Sequence, residues 1–319
     1  MKKKSHKPAY TITSNILKLT GKITEAITTI ELDADFIISP KLRRENQVKT
    51  LAGTLEIEGN YMGEEKITAI LDGKRVLGTN MELAEVEGTI NAYKLLEEYK
   101  CYKLDDLLKA HSLLMRGILE SAGSFREVRV VVGEHIPPEP MELSLLMDEL
   151  FNWLETSDEH PLIKSCVFHY EFEYIHPFLD GNGRIGRLWQ SVILYQWRSI
   201  FSSLPTESII RDNQKAYYDA IQVSNMMEES TAFIEFMLGV ILETIENVPK
   251  VVTKNVPKDR AVLILENMNI NSTVTIKELA ELLKVNEKTV KRDIEKLKEE
   301  RKVKRTGSAR KGIWQVVII

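Results

Sequence analysis

The fold of this chain is restricted most by a glycine-rich break between two helical patterns, at residues 176–183. Apolar residues recur at helical spacing on both sides of it: Ile163, Val167, Tyr170 and Tyr174 before the break, and Leu188, Val192 and Tyr195 after it. Pro177 cannot continue a helix, and Gly181 and Gly183 allow a tight loop. The pattern therefore predicts a mainly α-helical protein in which two helices meet at a loop whose backbone can approach a ligand closely.

Composition is that of an ordinary globular protein. The 319 residues include 43 basic and 47 acidic side chains, a net charge of −4, which excludes an overall basic nucleic-acid coat. Two cysteines, Cys101 and Cys166, exclude a disulfide framework and a Cys-rich zinc ribbon. The basic start, Met1–Lys4, is followed by no apolar stretch, and no run of about 18 apolar residues occurs. We expect a cytoplasmic protein with no membrane segment.

Helical patterns and breaks divide the chain into four parts. We expect residues 1–90 to form an N-terminal helical segment and residues 91–246 to form a core domain. Prolines in a polar stretch predict a linker at residues 247–258. Residues 259–319 have a periodicity of their own and predict a separate C-terminal domain.

The loop at residues 176–183 combines an anion seat with titratable side chains. Glycine N–H groups at the start of a helix bind anions, and Arg184 and Arg187 share one face of that helix. His176 can accept a proton from an attacking hydroxyl, and Asp180 can hold Mg²⁺ together with phosphate oxygens. These parts are typical of phosphoryl or nucleotidyl transfer. The alternative is a structural turn with a buried histidine and a surface arginine pair.

The string from His176 to Arg187 resembles the signature of the Fic (Fido) family, His-x-Phe-x-Asp/Glu-Gly-Asn-Gly-Arg-x-x-Arg, and matches every specified position. The similarity covers about residues 83–245. It implies a Fic helical core with a short β-hairpin flap, and a reaction in which ATP and a Ser, Thr or Tyr hydroxyl of a target protein give AMP-protein and diphosphate. Gly183 favours the members of the family that transfer AMP.

The resemblance also implies a role for each residue of the loop. His176 would be the general base, Phe178 would anchor the loop in the core, and Asp180 would bind Mg²⁺. The other motif residues would contact the phosphates of ATP: Gly181, Asn182, Gly183, Arg184 and Arg187.

Two further segments would complete the ATP site. Residues 128–135 look like the family's flap, with a strand at Val128–Val132 that aligns a target segment by strand addition. A plain edge hairpin is the alternative. Near the adenosine the family has a Tyr and an Asn, although both could equally be packing or capping residues here. The residues of these segments expected to contact ATP are Val132, Gly133, Glu134, His135, Tyr217 and Asn225.

A glutamate ahead of the core matches the family's inhibitory pattern, Ser/Thr-x-x-x-Glu-Gly/Asn. The match is Thr54-Leu55-Glu56-Ile57-Glu58-Gly59, at the end of a helix predicted over Pro40–Ile57. A carboxylate paired with Arg187 would occupy the place of the γ-phosphate. The resemblance therefore implies an enzyme that Glu58 inhibits, with a solvated glutamate at a helix end as the alternative.

The C-terminal residues predict a winged helix-turn-helix. The expected elements are a strand at Val274–Ile276, a helix around Leu279–Leu283, a second helix capped by Asn286, and a hairpin between Val303 and Val316. Residues 284–311 carry twelve basic and five acidic side chains, a net charge of 12 − 5 = +7. This charge suits contacts with DNA phosphates, and docking onto a protein is the alternative.

The function that we expect is protein adenylyltransferase, acting on a target protein and on the chain itself. The alternative from another class is a DNA-binding regulator with a nucleotide-sensing Fic core, although the intact His176 argues against it, since a sensor needs no general base. Removal of AMP, transfer of another phosphate-containing moiety, and a homodimer also stay open.

Overall fold

The computed structural model describes residues 8–32, 39–247, 260–270, 272–283, 285–300, 302–306 and 313–316. The chain separates into two compact units, Met1–Val251 and Val252–Ile319. Helices dominate both units, and this confirms the expected mainly α-helical fold. Residues 248–258 of the expected linker lie outside the described ranges. None of the described helices is long and apolar enough to cross a membrane.

The first unit is built from helices and connecting turns. In chain order the helices are α1 Ser14–Leu32, α2 Pro40–Ile57, α3 Gly63–Leu71, α4 Asn80–Tyr93, α5 Leu104–Leu114, α6 Leu143–Thr156, α7 Pro161–Ile175, α8 Asn182–Trp197, α9 Thr206–Asp212, α10 Gln214–Met227 and α11 Thr231–Asn247. Two short 3-10 helices lie at Pro140–Glu142 and Ser199–Ser203.

The pair α7 and α8 forms the centre of this unit and carries the predicted break. Helix α7 ends at Ile175 and is followed by His176, whose backbone is left-handed with φ 47°, and Gly181 with φ 82° precedes α8. The side chain of Asn182 closes the loop, since its Oδ1 accepts from the N–H of Phe178 and its Nδ2 donates to the carbonyl of Phe178, both at 2.9 Å. Phe178 is fully buried, as expected of an anchor.

Helix α2 packs closely against α9 because Gly53 has no side chain. A Cβ atom on Gly53 would lie 2.7 Å from the backbone of Glu207 and Ser208. Polar contacts also hold α2. Among them, Asn46 Nδ2 donates to the carbonyl of Ser203 at 2.8 Å, and Glu56 pairs with Arg211 at 3.0 Å. The C-terminal end of α2, and with it Glu58, is therefore fixed against the core.

The second unit has the elements of a winged helix. They are α12 Arg260–Ile270, α13 Ile276–Leu282, α14 Glu287–Glu299, β1 Val303–Thr306 and β2 Ile313–Val316. The two strands are antiparallel, with Val303 opposite Val316. Buried side chains from every element form one core, namely Ile264, Met268, Val274, Leu279, Ala280, Val290, Ile294, Leu297, Val303 and Trp314.

Most of the predicted C-terminal elements are present, and one is wrong. Asn286 caps α14 as expected, because its Oδ1 accepts from the N–H of Thr289 at 2.8 Å. The strand predicted at Val274–Ile276 does not form. Thr275 instead caps α13: its Oγ1 accepts from the N–H of Glu278, and the Glu278 carboxylate accepts from the N–H of Thr275. The turn between the strands, residues 307–312, lies outside the described ranges.

The close packing of α2 on α9 gives a stability prediction. Gly53→Ala should lower the melting temperature of the protein, because the new methyl group meets backbone atoms that cannot rotate away, at a cost of about 1–3 kcal/mol. Differential scanning calorimetry measures the change.

A matched control is Gly21→Ala, which places the same methyl group on α1. A Cβ atom on Gly21 has no heavy atom within 4 Å, so this variant should gain up to about 1 kcal/mol from helix propensity. Equal melting temperatures for the two variants would contradict the tight contact of Gly53.

Candidate active site

The loop that carries His176 is held in place by a buried arginine. Arg126 donates from Nε to the carbonyl of His176 at 2.8 Å, and its backbone N–H donates to the carbonyl of Pro177 at 2.9 Å. The same guanidinium donates to the carbonyls of Val128 and Pro138 at 2.9 and 2.6 Å. Arg126 thus ties the loop to the start of the segment expected to be the flap and to Pro138, which follows that segment. No residue pattern indicated this role beyond the general similarity of the segment to the family.

Burial keeps the imidazole of His176 neutral. Removal of the ring from water lowers its pKa to about 4, which leaves the uncharged form at neutral pH. Its Nδ1 lies 3.9 Å from the carboxylate of Glu173, one helical turn earlier. A neutral imidazole can accept a proton from a hydroxyl group, so the side chain is in the protonation state that a general base needs.

A second histidine, His111, holds the loop in place by hydrogen bonds. His111 donates from Nε2 to the carbonyl of Asp180 at 2.9 Å and accepts at Nδ1 from the N–H of Gly123 at 2.8 Å. Its ring stacks on Phe178 with 3.6 Å between the ring centroids. Burial lowers the pKa of His111 to about 4, so the uncharged ring can make both hydrogen bonds at once.

The carboxylate of Asp180 faces solvent at the mouth of the loop. Its side chain is 55% exposed, and Arg184 Nη2 lies 3.5 Å from it. No three His, Cys, Asp or Glu side chains among the described residues are grouped to hold a metal ion by themselves. A single exposed carboxylate beside an anion seat fits Mg²⁺ bound together with phosphate oxygens, because Mg²⁺ usually takes one or two carboxylates plus substrate oxygens.

Arg187 is buried and points to α2. Its Nη2 donates to Glu58 Oε1 at 2.7 Å and to the carbonyl of Thr54 at 3.2 Å, and its Nε donates to Thr54 Oγ1 at 3.1 Å. Burial would lower the pKa of Arg187, but the Glu58 carboxylate, together with Tyr217 and Tyr93, outweighs burial and raises it above the ordinary value. The guanidinium is therefore charged, and residues of α2 and its cap occupy its Nε and Nη2.

The carboxylate of Glu58 occupies the expected anion-binding position over the loop, directly above Gly183. A Cβ atom on Gly183 would lie 2.6 Å from Glu58 Oε1. The structure therefore brings Glu58, Gly183 and Arg187 together, as the inhibitory hypothesis requires. Arg184 lies next to them, buried between Glu85 at 3.8 Å and Asp180, and its Nε has no hydrogen-bond partner among the described residues. Sequence reasoning missed Glu85, which comes from α4.

The expected flap forms only its turn. Val132 and His135 exchange two backbone hydrogen bonds of 3.0 Å around Gly133 and Glu134. Residues 128–131 have no regular secondary structure, so the strand predicted there is absent from the described residues. His135 Nε2 donates to the carbonyl of Tyr174 at 2.7 Å and fixes the turn beside the loop. The segment is held by Arg126 and His135 rather than by a strand ladder.

A cavity of about 820 Å³ lies between this turn and α10. Small-molecule sites commonly have volumes of about 300–1,000 Å³. Asn225 lines the cavity and accepts at Oδ1 from the hydroxyl of Tyr170 at 3.0 Å. Tyr217 does not reach it: the ring is buried, and its hydroxyl hydrogen-bonds His169 Nε2 at 3.1 Å. The geometry favours the packing alternative for Tyr217, whereas Tyr218 lies on the cavity wall.

Glu173 also lines this cavity, and sequence reasoning did not single it out. Burial raises the pKa of its carboxyl to about 8, so the group is protonated at neutral pH. Its burial depends on the packing of α7 against α8, where a Cβ atom on Gly186 would lie 2.8 Å from Glu173 Oε1. No local pattern of residues indicates the burial of Glu173, because it results from the contact between α7 and α8.

The pair formed by Glu58 and Arg187 predicts a pH-dependent contribution to stability. Burial would raise the pKa of Glu58, but the charge and hydrogen bond of Arg187, together with Arg184 and His176, outweigh burial and hold it below the ordinary value of 4.5. A depressed pKa gives stability that is present above the ordinary value and is lost as pH falls through the folded-state value. Glu58→Gln should therefore lower the melting temperature at neutral pH, and the difference from wild type should shrink below pH 4.5.

Thermal unfolding followed by circular dichroism from neutral to acidic pH measures this difference. Glu45→Gln is the control, because Glu45 lies on the exposed face of α2 in a loose pair with Lys41 at 3.8 Å. A difference between wild type and Glu58→Gln that does not change with pH would contradict the ion pair.

Two parts of the chain match known protein families. Residues 101–194 match the Fic/DOC family and residues 260–310 match the DeoR-like helix-turn-helix domain. Protein adenylyltransferase Fic of Culex quinquefasciatus is 30% identical over 201 residues, which are 58% of this chain and 38% of that protein. The protein of the same name in Aedes aegypti is 29% identical over 201 residues, with the same coverage. The chain thus spans less than half of the length of these curated relatives.

Solved structures show the same architecture. Fic-1 of C. elegans, residues 134–508, is 22% identical with a TM-score of 0.60, over 73% of this chain and 70% of that one, and shares the fold. A Fic family protein from Desulfovibrio desulfuricans G20 is 36% identical with a TM-score of 0.75, and the match covers 98% of both chains. With that identity over nearly the whole of both chains, and with the motif loop inside the matched domain, this chain belongs to the Fic family.

Proposed function

We propose that this chain is a protein adenylyltransferase, which transfers AMP from ATP to a hydroxyl group of a target protein, and that Glu58 inhibits the reaction. The observation that carries the proposal is the pair of Glu58 and Arg187 at 2.7 Å over the glycine-rich loop. The Glu58 carboxylate occupies a position suited to an anion, and this supports both an anionic substrate at the loop and its exclusion by Glu58. The names of the relatives in Culex quinquefasciatus and Aedes aegypti support the type of reaction.

In the proposed reaction His176 is the general base. The oxygen of a Ser, Thr or Tyr side chain attacks the α-phosphorus of ATP, the bond to the diphosphate breaks, and the hydroxyl proton passes to His176. The low pKa of the imidazole, about 4, supports this role, because the ring is uncharged before the transfer. The loop N–H groups, Arg184 and Arg187 would hold the phosphates.

Asp180 would hold Mg²⁺ at the edge of the seat. When bound, Mg²⁺ would neutralise charge on the phosphate oxygens. The exposure of the Asp180 carboxylate supports the assignment, since a cation that arrives with ATP can reach it from solvent. The turn at residues 132–135 and Asn225 would contact the nucleoside in the cavity of about 820 Å³.

Inhibition follows from the shared use of Arg187. While Glu58 accepts its hydrogen bond, Arg187 has no Nη2–H left for a γ-phosphate, and two anions would have to lie side by side over Gly183. The triphosphate could then bind only in a position unfit for attack on the α-phosphorus. Departure of Glu58 would leave Arg184 and Arg187 as a cationic seat.

Removal of Glu58 should activate the enzyme. We expect Glu58→Gly to raise labelling of the chain and of lysate proteins by at least about tenfold, which corresponds to about 1.4 kcal/mol of barrier, and Glu58→Gly combined with His176→Ala to abolish labelling. Incubation with α-labelled ATP and Mg²⁺ measures both. Mass spectrometry of the labelled chain would identify the AMP adduct and its residue.

The matched control is Glu45→Gln, on the exposed face of the same helix. Glu45 pairs loosely with Lys41 at 3.8 Å and does not touch Arg187, so this variant should label no more than wild type. Equal labelling by wild type and Glu58→Gly would refute the inhibition. Loss of AMP from a labelled target, instead of gain, would support the removal reaction.

DNA binding is a second candidate function, favoured by the match of residues 260–310 to the DeoR-like helix-turn-helix. Helix α14 buries Val290, Ile294 and Leu297 and exposes basic side chains on its other face. These exposed basic residues include Lys288, Lys291 and Arg292. Lys284, Arg301, Arg310 and Lys311, which belong to the predicted basic segment, lie outside the described residues.

Salt dependence tests this candidate. If α14 contacts phosphates, Lys291→Ala with Arg292→Ala should weaken binding of the full chain to a DNA duplex for every sequence, and reduce the slope of log K against log salt by about 2. Fluorescence anisotropy measures the slope, with Lys41→Ala in α2 as control. An unchanged slope would exclude α14 as the DNA contact.

A further inference from the structure

A second cavity, of about 650 Å³, lies along α2 at the opposite end from Glu58. We call it the α2 cavity. Its walls come from Pro40 to Leu51 on α2, from the residues after α4, and from the segment between Ser199 and Glu207. Its volume is that of a site for a small organic molecule. The helix that bears the inhibitory residue therefore forms a wall of a second potential binding site.

The inner end of the α2 cavity holds a buried carboxylate with a spare oxygen. Glu207 is 2% exposed, and its Oε1 accepts from Tyr93 Oη and from Ser191 Oγ, both at 3.1 Å. Oε2 has no hydrogen-bond partner among the described residues, and Glu207 lines the cavity. A buried acceptor without a donor is costly, so Oε2 is suited to an N–H group of a ligand.

Hydrogen bonds connect this carboxylate to the inhibitory pair. Arg187 Nε donates to Thr54 Oγ1 at 3.1 Å, and a guanidinium can only donate. The Thr54 hydroxyl is thus left to donate to Tyr93, with which it hydrogen-bonds, and Tyr93 donates to Glu207. Thr54 and Tyr93 therefore connect Glu207 to Arg187.

The outer end of the α2 cavity is basic. Arg43 and Arg44 lie ten and nine residues before Gly53, where an added Cβ atom would lie 2.7 Å from the backbone of Glu207. At 1.5 Å per residue this separation is about 14 Å along the helix. Arg44 pairs with Asp72 at 2.9 Å on the surface, a partner that an anion can replace.

We propose that the α2 cavity binds a nucleoside monophosphate, with an amino group of the base on Glu207 Oε2 and the phosphate beside Arg43 and Arg44, and that its binding releases Glu58 from Arg187. A base amino group is a natural donor to a carboxylate. The rings of Tyr93 and Phe201 line the cavity and suit a base between the two ends. The regulatory consequence rests on the proposed adenylyltransferase function, whereas the binding does not.

Calorimetric titration of the full chain tests the binding, with AMP, GMP and CMP as probes and EDTA present. Glu207→Gln is the decisive variant. Its carbonyl oxygen must face Tyr93 and Ser191, which donate to it, so its amide N–H₂ replaces Oε2 and turns an acceptor into a donor. The second variant, Ser203→Trp, places a large ring in the cavity and leaves the Glu207 carboxylate unchanged.

We expect at least one probe to bind wild type and to lose about tenfold or more in Kd with Glu207→Gln and with Ser203→Trp, while Arg184→Ala binds normally. The proposal is overturned if no probe binds with Kd below about 1 mM, if both cavity variants bind like wild type, or if Arg184→Ala removes the binding, which would place the nucleotide on the motif loop. Melting curves check that each variant is folded, and Ser203→Trp decides if Glu207→Gln unfolds.

Self-labelling with ATP tests the release of Glu58. The bound probe should raise labelling of wild type several-fold, leave Glu207→Gln unchanged, and never raise labelling of Glu58→Gly, which has no inhibitory carboxylate to release. Binding without a rise in wild-type labelling would overturn the regulatory part. Absence of labelling even in Glu58→Gly would instead refute the adenylyltransferase proposal and leave the binding result standing.

Discussion

The buried guanidinium of Arg187 is the group on which the rest of the site depends. A charge that is 1% exposed needs several acceptors, and no residue near it in the sequence supplies them. They come from Thr54 and from Glu58, 129 residues away along the chain. Helix α2 must therefore pack on the core to satisfy Arg187, and the same contact that stabilises the fold fills the anion seat. In this protein a stabilising ion pair and the proposed inhibition are one interaction.

Burial sets the charges around that pair. It lowers the pKa of His176 and His111 to about 4 and raises that of Glu173 to about 8, so all three are neutral at neutral pH. The charged groups left in the site are Arg184, Arg187, Glu58, Glu85 and Asp180. Departure of Glu58 would remove one negative charge from beside Arg187. This difference is what would favour a polyphosphate over water in the proposed active state.

Local signals in the sequence predicted much of this arrangement, and burial explains what they missed. Pro177 and Gly181 predicted the break between α7 and α8, and Asn286 predicted the cap of α14, because each acts within a few residues. The strand at Val274–Ile276 was wrong because the β-branched residues obscured a Thr-Glu capping box. Tyr217 and Tyr218 are adjacent and alike in sequence, and only the packing of α10 decides which one is buried.

The sequence by itself determined the chemistry of the loop from His176 to Arg187, its position between two helices, and the presence of a carboxylate on an upstream helix. The tertiary structure decided what surrounds them: Arg126 and His111 holding the loop, Glu85 beside Arg184, and the α2 cavity ending at Glu207. Motifs are local because they need only neighbouring backbone and side chains. Burial, pKa and distance are properties of elements that meet far apart along the chain, and no short pattern of residues records them.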